Sequence, residues 1–312
     1  MDSTILITSA SGRTSGYVLR SLLSHSSPAQ VRLLVRSRAA IPSLLSAHPS
    51  LTESAFVIAD YLDYPSLVHA MKGADVVFHN GALFHPNEIG QGINVINAAK
   101  EVGVKHFVYC SVLYPFLSRM PHHAVKGRIE EYLTESGLDF TILQPTSFMQ
   151  NFPVQAILES ASPAKLPCTY NTNVLQGFLH LSDLAAVATS ILLNPERHRF
   201  ATYQLTGRLW ACIDGGTFVV GENCTLEQLA QTLESETGKQ VIREIVDRKS
   251  FLAQQQETNG DFCAELWELM LVHYDRRGIP GNSNVTTWLL GREPITWKDW
   301  IRQTLKEPVG QQ

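Results

Sequence analysis

The stretch PHHAVKGRIEEYL, residues 121–133, holds side chains that could do chemistry together. Pro121 suits the first turn of a helix, and on that helix His122 and Lys126 stand one turn apart on one face. An ammonium so placed can hold hydroxyl groups or stabilise an oxyanion as it develops. An imidazole, which titrates at about pH 6.5, can carry a proton. The plain alternatives are a helix-start histidine facing water and a surface lysine paired with Glu130, a pairing worth only about 0.3–0.5 kcal/mol. Two hydroxyls lie just upstream. Ser111 ends the apolar run KHFVYCS, where it could meet a ligand or cap the turn, and Tyr114 could bring a phenol to the same place. The proton carrier is left open among His122, Tyr114, Lys126 and no donor at all.

These groups need elements to position them. Short apolar, β-branched runs recur through the first half: TILITS (4–9), VRLLV (31–35), AFVIA (55–59), DVVFH (75–79), KHFVYCS (105–111) and LDFTILQP (138–145). They are near-continuous rather than alternating, which predicts strands buried on both faces of a parallel sheet. Helical segments lie between them. Three of these end in glycine just before the next strand, at Gly73, Gly103 and Gly137. Strand, helix, glycine and strand in repetition predict βαβ units and a doubly wound sheet. Lys126 then sits between the fifth and sixth strands, and ligands bind such sheets at the carboxyl edge.

The second half is less regular. FMQNFPVQAIL is expected to be helical with Pro153 at a boundary, NVLQGFLH (173–180) a strand, and LSDLAAVATSILL (181–193) a helix capped by Ser182 or Asp183. Beyond Gly207 amphipathic helices dominate. The expected division is a dinucleotide-binding domain of residues 1–150 plus a return segment 176–208, and a smaller, mostly helical substrate domain of 151–175 and 209–312.

The first strand runs into TSASGRTSGYVLRSLL. A dinucleotide turn carries spaced glycines. Here Gly12 holds the middle position, while Ser9 and Ser15 hold the outer two. Backbone N–H groups at the helix start can still hold phosphate, with Ser11 and Thr14 as extra donors. After the second strand an acidic residue would favour an unphosphorylated ribose. This chain has Arg36 and Arg38 instead, with Arg13 in the adjoining turn. Guanidinium forks suit a 2′-phosphate, so the expected cofactor is NADP(H). Asp60, after the third strand, is placed to meet the adenine amino group. Tyr61, Asn80, Gly81 and Phe148 complete the expected cofactor contacts, together with Ser9 and Lys126.

Composition sets the outer bounds. The 312 residues are 44% apolar and 17% charged, with a formal net charge of −4. No Lys/Arg block exists, so no nucleic-acid or anionic-membrane partner is expected. The five cysteines are scattered, which suits a reducing compartment, and no run approaches the ~20 apolar residues of a membrane span. A cytoplasmic protein is expected. The eleven histidines form no metal-binding pattern, so no metal is expected.

The segments GINVINAAKEVGVKHFVYCSV, KGRIEEYLTESGLDFTILQPTSFMQNF, FLHLSDLAAVATSIL and YQLTG resemble the NmrA-like family of atypical short-chain dehydrogenases/reductases over about residues 3–250. The resemblance implies a Rossmann domain, an NADP(H) site and a small C-terminal domain. It places Lys126 at the family's active-site lysine, with His122 where short-chain dehydrogenases carry tyrosine, and Ser111 where a hydroxyl orients a substrate carbonyl. The family includes biosynthetic reductases, fungal secondary-metabolism proteins and redox-sensing regulators. Phe84, Tyr114, Phe116, Phe148, Phe152 and Trp267 are expected to line a cleft that suits an apolar or aromatic substrate. The expected activity is a biosynthetic reductase delivering hydride to a carbonyl or activated double bond. A redox-neutral isomerase or cyclase holding NADP(H), and a non-catalytic regulator, stay open as alternatives.

Overall fold

The computed structural model describes residues 3–25, 30–213, 217–221 and 223–306. Two compact units divide it, residues 1–144 with 184–203, and residues 145–183 with 204–312.

The first unit follows a strand-helix alternation: β1 Thr4–Ile7, α1 Arg13–Leu23, β2 Gln30–Val35, α2 Ile41–Ala47, β3 Phe56–Ile58, α3 Tyr64–Met71, β4 Val76–Asn80, α4 Glu88–Glu101, β5 His106–Cys110, α5 Pro121–Glu135 and β6 Phe140–Pro145. Every residue of β1, β5 and β6 is buried, as apolar runs covered on both faces require. Gly73, Gly103 and Gly137 take φ of +77°, +77° and +80°, the left-handed turn that returns the chain from helix to strand. The sheet order is β10-β6-β5-β4-β1-β2-β3, where β10 is Ala201–Leu205. β1 pairs in parallel with both β2 and β4, so the winding direction switches beside β1, the crevice where ligands bind in such sheets. Leu6, Leu34, Val77, Phe107 and Ile142 belong to one buried core on this sheet.

α4 and α5 lie close together. A Cβ added at Gly92 on α4 would stand only 2.8 Å from Ile129 Cδ1 on α5. This approach brings the first turn of α4 within reach of α5.

Among the described residues the second unit holds three small sheets and most of the later helices. Its strands include β7 Ser147–Phe148, β8 Ala164–Cys168 and β9 Gln176–Leu179, with α6 Val154–Glu159 between the first two. The expected helix around Pro153 is thus confined to six residues that begin just after the proline. The expected strand 173–180 shortens to four residues. Helix α7 spans Leu181–Leu193, and from Leu184 on it belongs to the first unit. Neither Ser182 nor Asp183 caps it. His180 Nδ1 accepts the Ser182 N–H at 3.2 Å, and the Asp183 carboxylate is engaged by Arg292 Nη2 and Ile295 N–H, both at 2.7 Å. A buried core of Phe178, Leu226, Leu229, Trp297 and Ile301 centres this unit.

Candidate active site

The site builds up at the carboxyl ends of β1, β4 and β5, all within the first unit. β1 ends in a turn before α1. Ser9 takes the left-handed conformation there, φ +47°, at the position of the first glycine. A non-glycine residue bears such strain only when neighbours enforce it. Here they do. Ser9 N–H donates to the Tyr61 hydroxyl at 2.8 Å, Ser9 Oγ lies 2.9 Å from the same hydroxyl, and Ser9 Oγ–H donates to Asn80 O at 2.8 Å. Ser9 is therefore bonded to both Tyr61 and Asn80, and these bonds brace the turn. Ser15, at the third glycine position, is fully buried and donates its hydroxyl to Thr8 O at 2.9 Å.

Gly12 precedes α1, and a Cβ there would meet Ser9 O at 3.1 Å. No side chain caps the helix start, so side chains leave the first N–H groups of α1 to a ligand. Ser11 and Arg13 are exposed and Thr14 is half-buried around this turn. Arg36 and Arg38 are exposed just past the end of β2. Asp60 is exposed as well, with one carboxylate oxygen accepting the Leu62 N–H at 2.8 Å.

Lys126 lies beyond β5. It is 6% exposed, and its Nζ stands 2.6 Å from Glu88 Oε1 on the first residue of α4. The surface pairing with Glu130 is overturned: Glu130 accepts from Gln144 Nε2 at 3.0 and 2.9 Å, and Lys126 pairs with Glu88 instead. The Lys126 ammonium also approaches the Tyr109 ring, 5.8 Å from its centroid. Burial pushes the Glu88 carboxyl up from the ordinary carboxylate range, and Lys126 opposes that rise. His79 beneath the pair is pushed down to about 3 by burial and by Lys126, so it stays neutral. Gly81 packs close against the pair: a Cβ there would come to 3.4 Å from Lys126 Nζ and 3.6 Å from Glu88 Oε1.

His122 is 6% exposed, so it is no water-facing helix-start residue. Its ring meets Phe84 edge-on at 5.2 Å and His123 at 4.6 Å. The Tyr114 carbonyl lies 3.3 Å from His123 Nδ1. A carbonyl only accepts, so that nitrogen carries the proton. Phe84 and Tyr114 both have φ of +57°, a second and third strained position at this edge. Leu83 and Phe116 are 64% and 73% exposed on the loops after β4 and β5. Ser111 is buried, its N–H on Leu143 O at 2.8 Å and its hydroxyl against the Glu130 carboxylate.

Phe148, on β7, is half-buried in the second unit. Two of the expected cleft aromatics pack inside that unit. Phe152 is edge-on to Phe178 and Trp297, and Trp267 to Phe251. The residue that sequence reasoning missed is Glu88. Among the described residues no group of three or more His, Cys, Asp or Glu could hold a metal ion, and no helix is long and apolar enough to cross a membrane.

The sequence model of the NmrA-like family matches residues 1–268. The chain belongs to the NmrA-like family. A curated relative, Quinone oxidoreductase 2 of Escherichia coli strain K12, is 26% identical over 298 residues, which cover 94% of this chain and 95% of the relative. The crystal structure of NADPH-dependent quinone oxidoreductase QOR2 from E. coli, complexed with NADPH, superposes with a TM-score of 0.77 at 24% identity, covering 97% of this chain and 100% of that one. Citrobacter sp. triphenylmethane reductase complexed with NADP(H) gives 0.75 at 21% identity, over 96% and 99%. At such identities the structures establish that this NmrA-like chain shares their fold.

Proposed function

We propose that this NmrA-like protein is an NADP(H)-dependent reductase of apolar, ring-containing small molecules, acting on a carbonyl or activated double bond. The observation that carries the reading is a lysine nearly sealed from water at the carboxyl edge of β5, paired with Glu88 beside Gly81. The residues fit the cofactor. Gly12 is a cradle that a side chain would fill, and the α1 N–H groups behind it suit a pyrophosphate. Arg36 and Arg38, with Arg13 adjoining, would hold a 2′-phosphate, and Asp60 would meet the adenine edge. Ser9, Tyr61 and Asn80 would brace the loop from behind. The relatives' names, a quinone oxidoreductase and a dye reductase with NADPH or NADP(H), agree with this assignment.

When bound, NADPH supplies a hydride. The chain's own residues do the rest. Lys126 would hold ribose hydroxyls and stabilise oxyanion charge on the substrate. His122, with Ser111 and Tyr114 on neighbouring segments, would position or protonate the carbonyl oxygen. Leu83, Phe84 and Phe116 would give a flat apolar molecule its contact surface, and a biosynthetic role for such a reductase follows the same substrate class. Calorimetry with NADPH and NADH, followed by the loss of NADPH absorbance with a panel of quinones and triphenylmethane dyes, tests this. Absent binding of either cofactor refutes it. A second reading, redox-neutral isomerisation or cyclisation, is favoured by one observation: a histidine packed against Phe84 and His123 stands where a tyrosine donor would. Turnover that needs NADP(H) but leaves its absorbance unchanged would select it.

A further inference from the structure

Glu88 takes no part in the assignments above except as the neighbour of Lys126. Its side chain is 3% exposed and that of Lys126 7%, with 2.6 Å between their charged atoms. We propose that Glu88 is a positioning residue for Lys126: its carboxylate keeps this enclosed lysine charged and holds the Nζ beside Gly81.

Burial disfavours an ammonium unless a carboxylate balances it. The groups around the pair cannot do so. His79 on β4 is neutral, and burial raises Tyr109 and Cys110 on β5, which leaves both uncharged at neutral pH. His85, before α4, brings no negative charge. Glu130, on α5, faces Gln144 and Ser111. Glu88 alone of these is in contact. Its own burial is compensated twice, by Lys126 and by its place as first residue of the 14-residue helix α4, whose amino end favours an anion. The geometry is held by the close packing of α4 on α5 at Gly92 and Ile129. A lysine so neutralised is a weak hook for phosphates and carboxylates. It offers its N–H groups to neutral hydroxyl and carbonyl oxygens instead.

The inference rests on the reductase reading only for what the ammonium meets, so it is tested on the cofactor-free protein. Acetic anhydride acylates only the uncharged amine. Trace labelling across a pH series, read by peptide mass spectrometry, gives the reactivity profile of Lys126 against the exposed Lys105. In Glu88→Gln the midpoint of that profile is expected to move down by about one pH unit or more, about tenfold more label on the rising limb. Faster labelling without a moved midpoint would mean loosened packing alone and would overturn the proposal. Should Glu88→Gln expose the buried Cys110 to a thiol reagent, Glu88→Asp, which keeps the charge, carries the test. It is expected to retain the midpoint of the unmutated protein, and a downward move of about a unit there overturns the proposal. Failure of NADPH to bind would refute the reductase reading and leave this result standing.

Discussion

Replacing Lys126 by methionine removes one charge of a buried pair and leaves the other. Methionine keeps most of the volume, so the change is chiefly electrostatic. Glu88 is 3% exposed and cannot recover water in place of its partner. Stranding one member of a buried pair costs about 3–5 kcal/mol. The Lys105–Asp75 pair, whose lysine is 76% exposed, is the internal control, and Lys105→Met is expected to cost at most about 1 kcal/mol. The double variant Lys126→Met/Glu88→Leu removes both charges and is expected to recover most of the loss. The penalty also depends on pH. Burial already holds Glu88 above the ordinary carboxylate range, and losing Lys126 raises it further. A carboxyl with a raised folded pKa binds its proton more tightly in the folded chain. The deficit of Lys126→Met is therefore smallest in acid, below the ordinary carboxylate range, and widens as pH rises towards the raised folded value, by up to about 1.4 kcal/mol per unit. Urea unfolding at several pH values reads this as a midpoint lowered by roughly 1 M or more at neutral pH. A single variant within about 1 kcal/mol of the unmutated protein, or a double variant no better than the single, would refute the argument.

Arg36→Ala is expected to weaken NADPH about tenfold or more while leaving NADH nearly unchanged, since a charge-assisted hydrogen bond is worth about 1.5–3 kcal/mol; calorimetry with both cofactors checks it. Gly12→Val is expected to abolish NADPH binding with the fold intact by circular dichroism, because its Cβ starts 3.1 Å from Ser9 O and its methyls reach into the cradle. Acid should destabilise the protein from about pH 6.5 downward. His79 is lowered to about 3, and His106 and His180 to about 4, by burial. Depressed folded values mean that this stability is complete above the unfolded value of 6.5 and lost as pH falls towards them, by up to about 1.4 kcal/mol per pH unit for each histidine. Thermal midpoints unchanged between about pH 7 and 5 would contradict that sign.

The doubly wound sheet was legible because its strands are covered on both faces, and full burial leaves an uninterrupted apolar run as its mark. Gly73, Gly103 and Gly137 were legible because the left-handed return from helix to strand has one cheap residue. Lys126 and His122 could be placed on one face from helical spacing alone. Glu88 could not be found, since it lies on another helix and its contact depends on how closely α4 packs on α5. The Glu130 alternative was the local reading, and the tertiary partner displaced it. The cap of α7 misled for a related reason. Asp183 has the right side chain for a cap, but Arg292 and the Ile295 amide claim it, and His180 serves in its place. Phe152 and Trp267 were read as cleft residues because aromatic content does not reveal which core a ring joins.

Ser9 ties three chain segments, the end of β1, the turn at Tyr61 and the end of β4, through one hydroxyl and one amide. A flexible loop of this kind would surrender about 1–2 kcal/mol of backbone freedom per residue on closing around a ligand. This one has given up that freedom during folding, at the expense of a single left-handed serine. It is a rigid mould and not a closing clasp. Ligand capture there is expected to be quick, with little ordering entropy to lose and a small change in heat capacity.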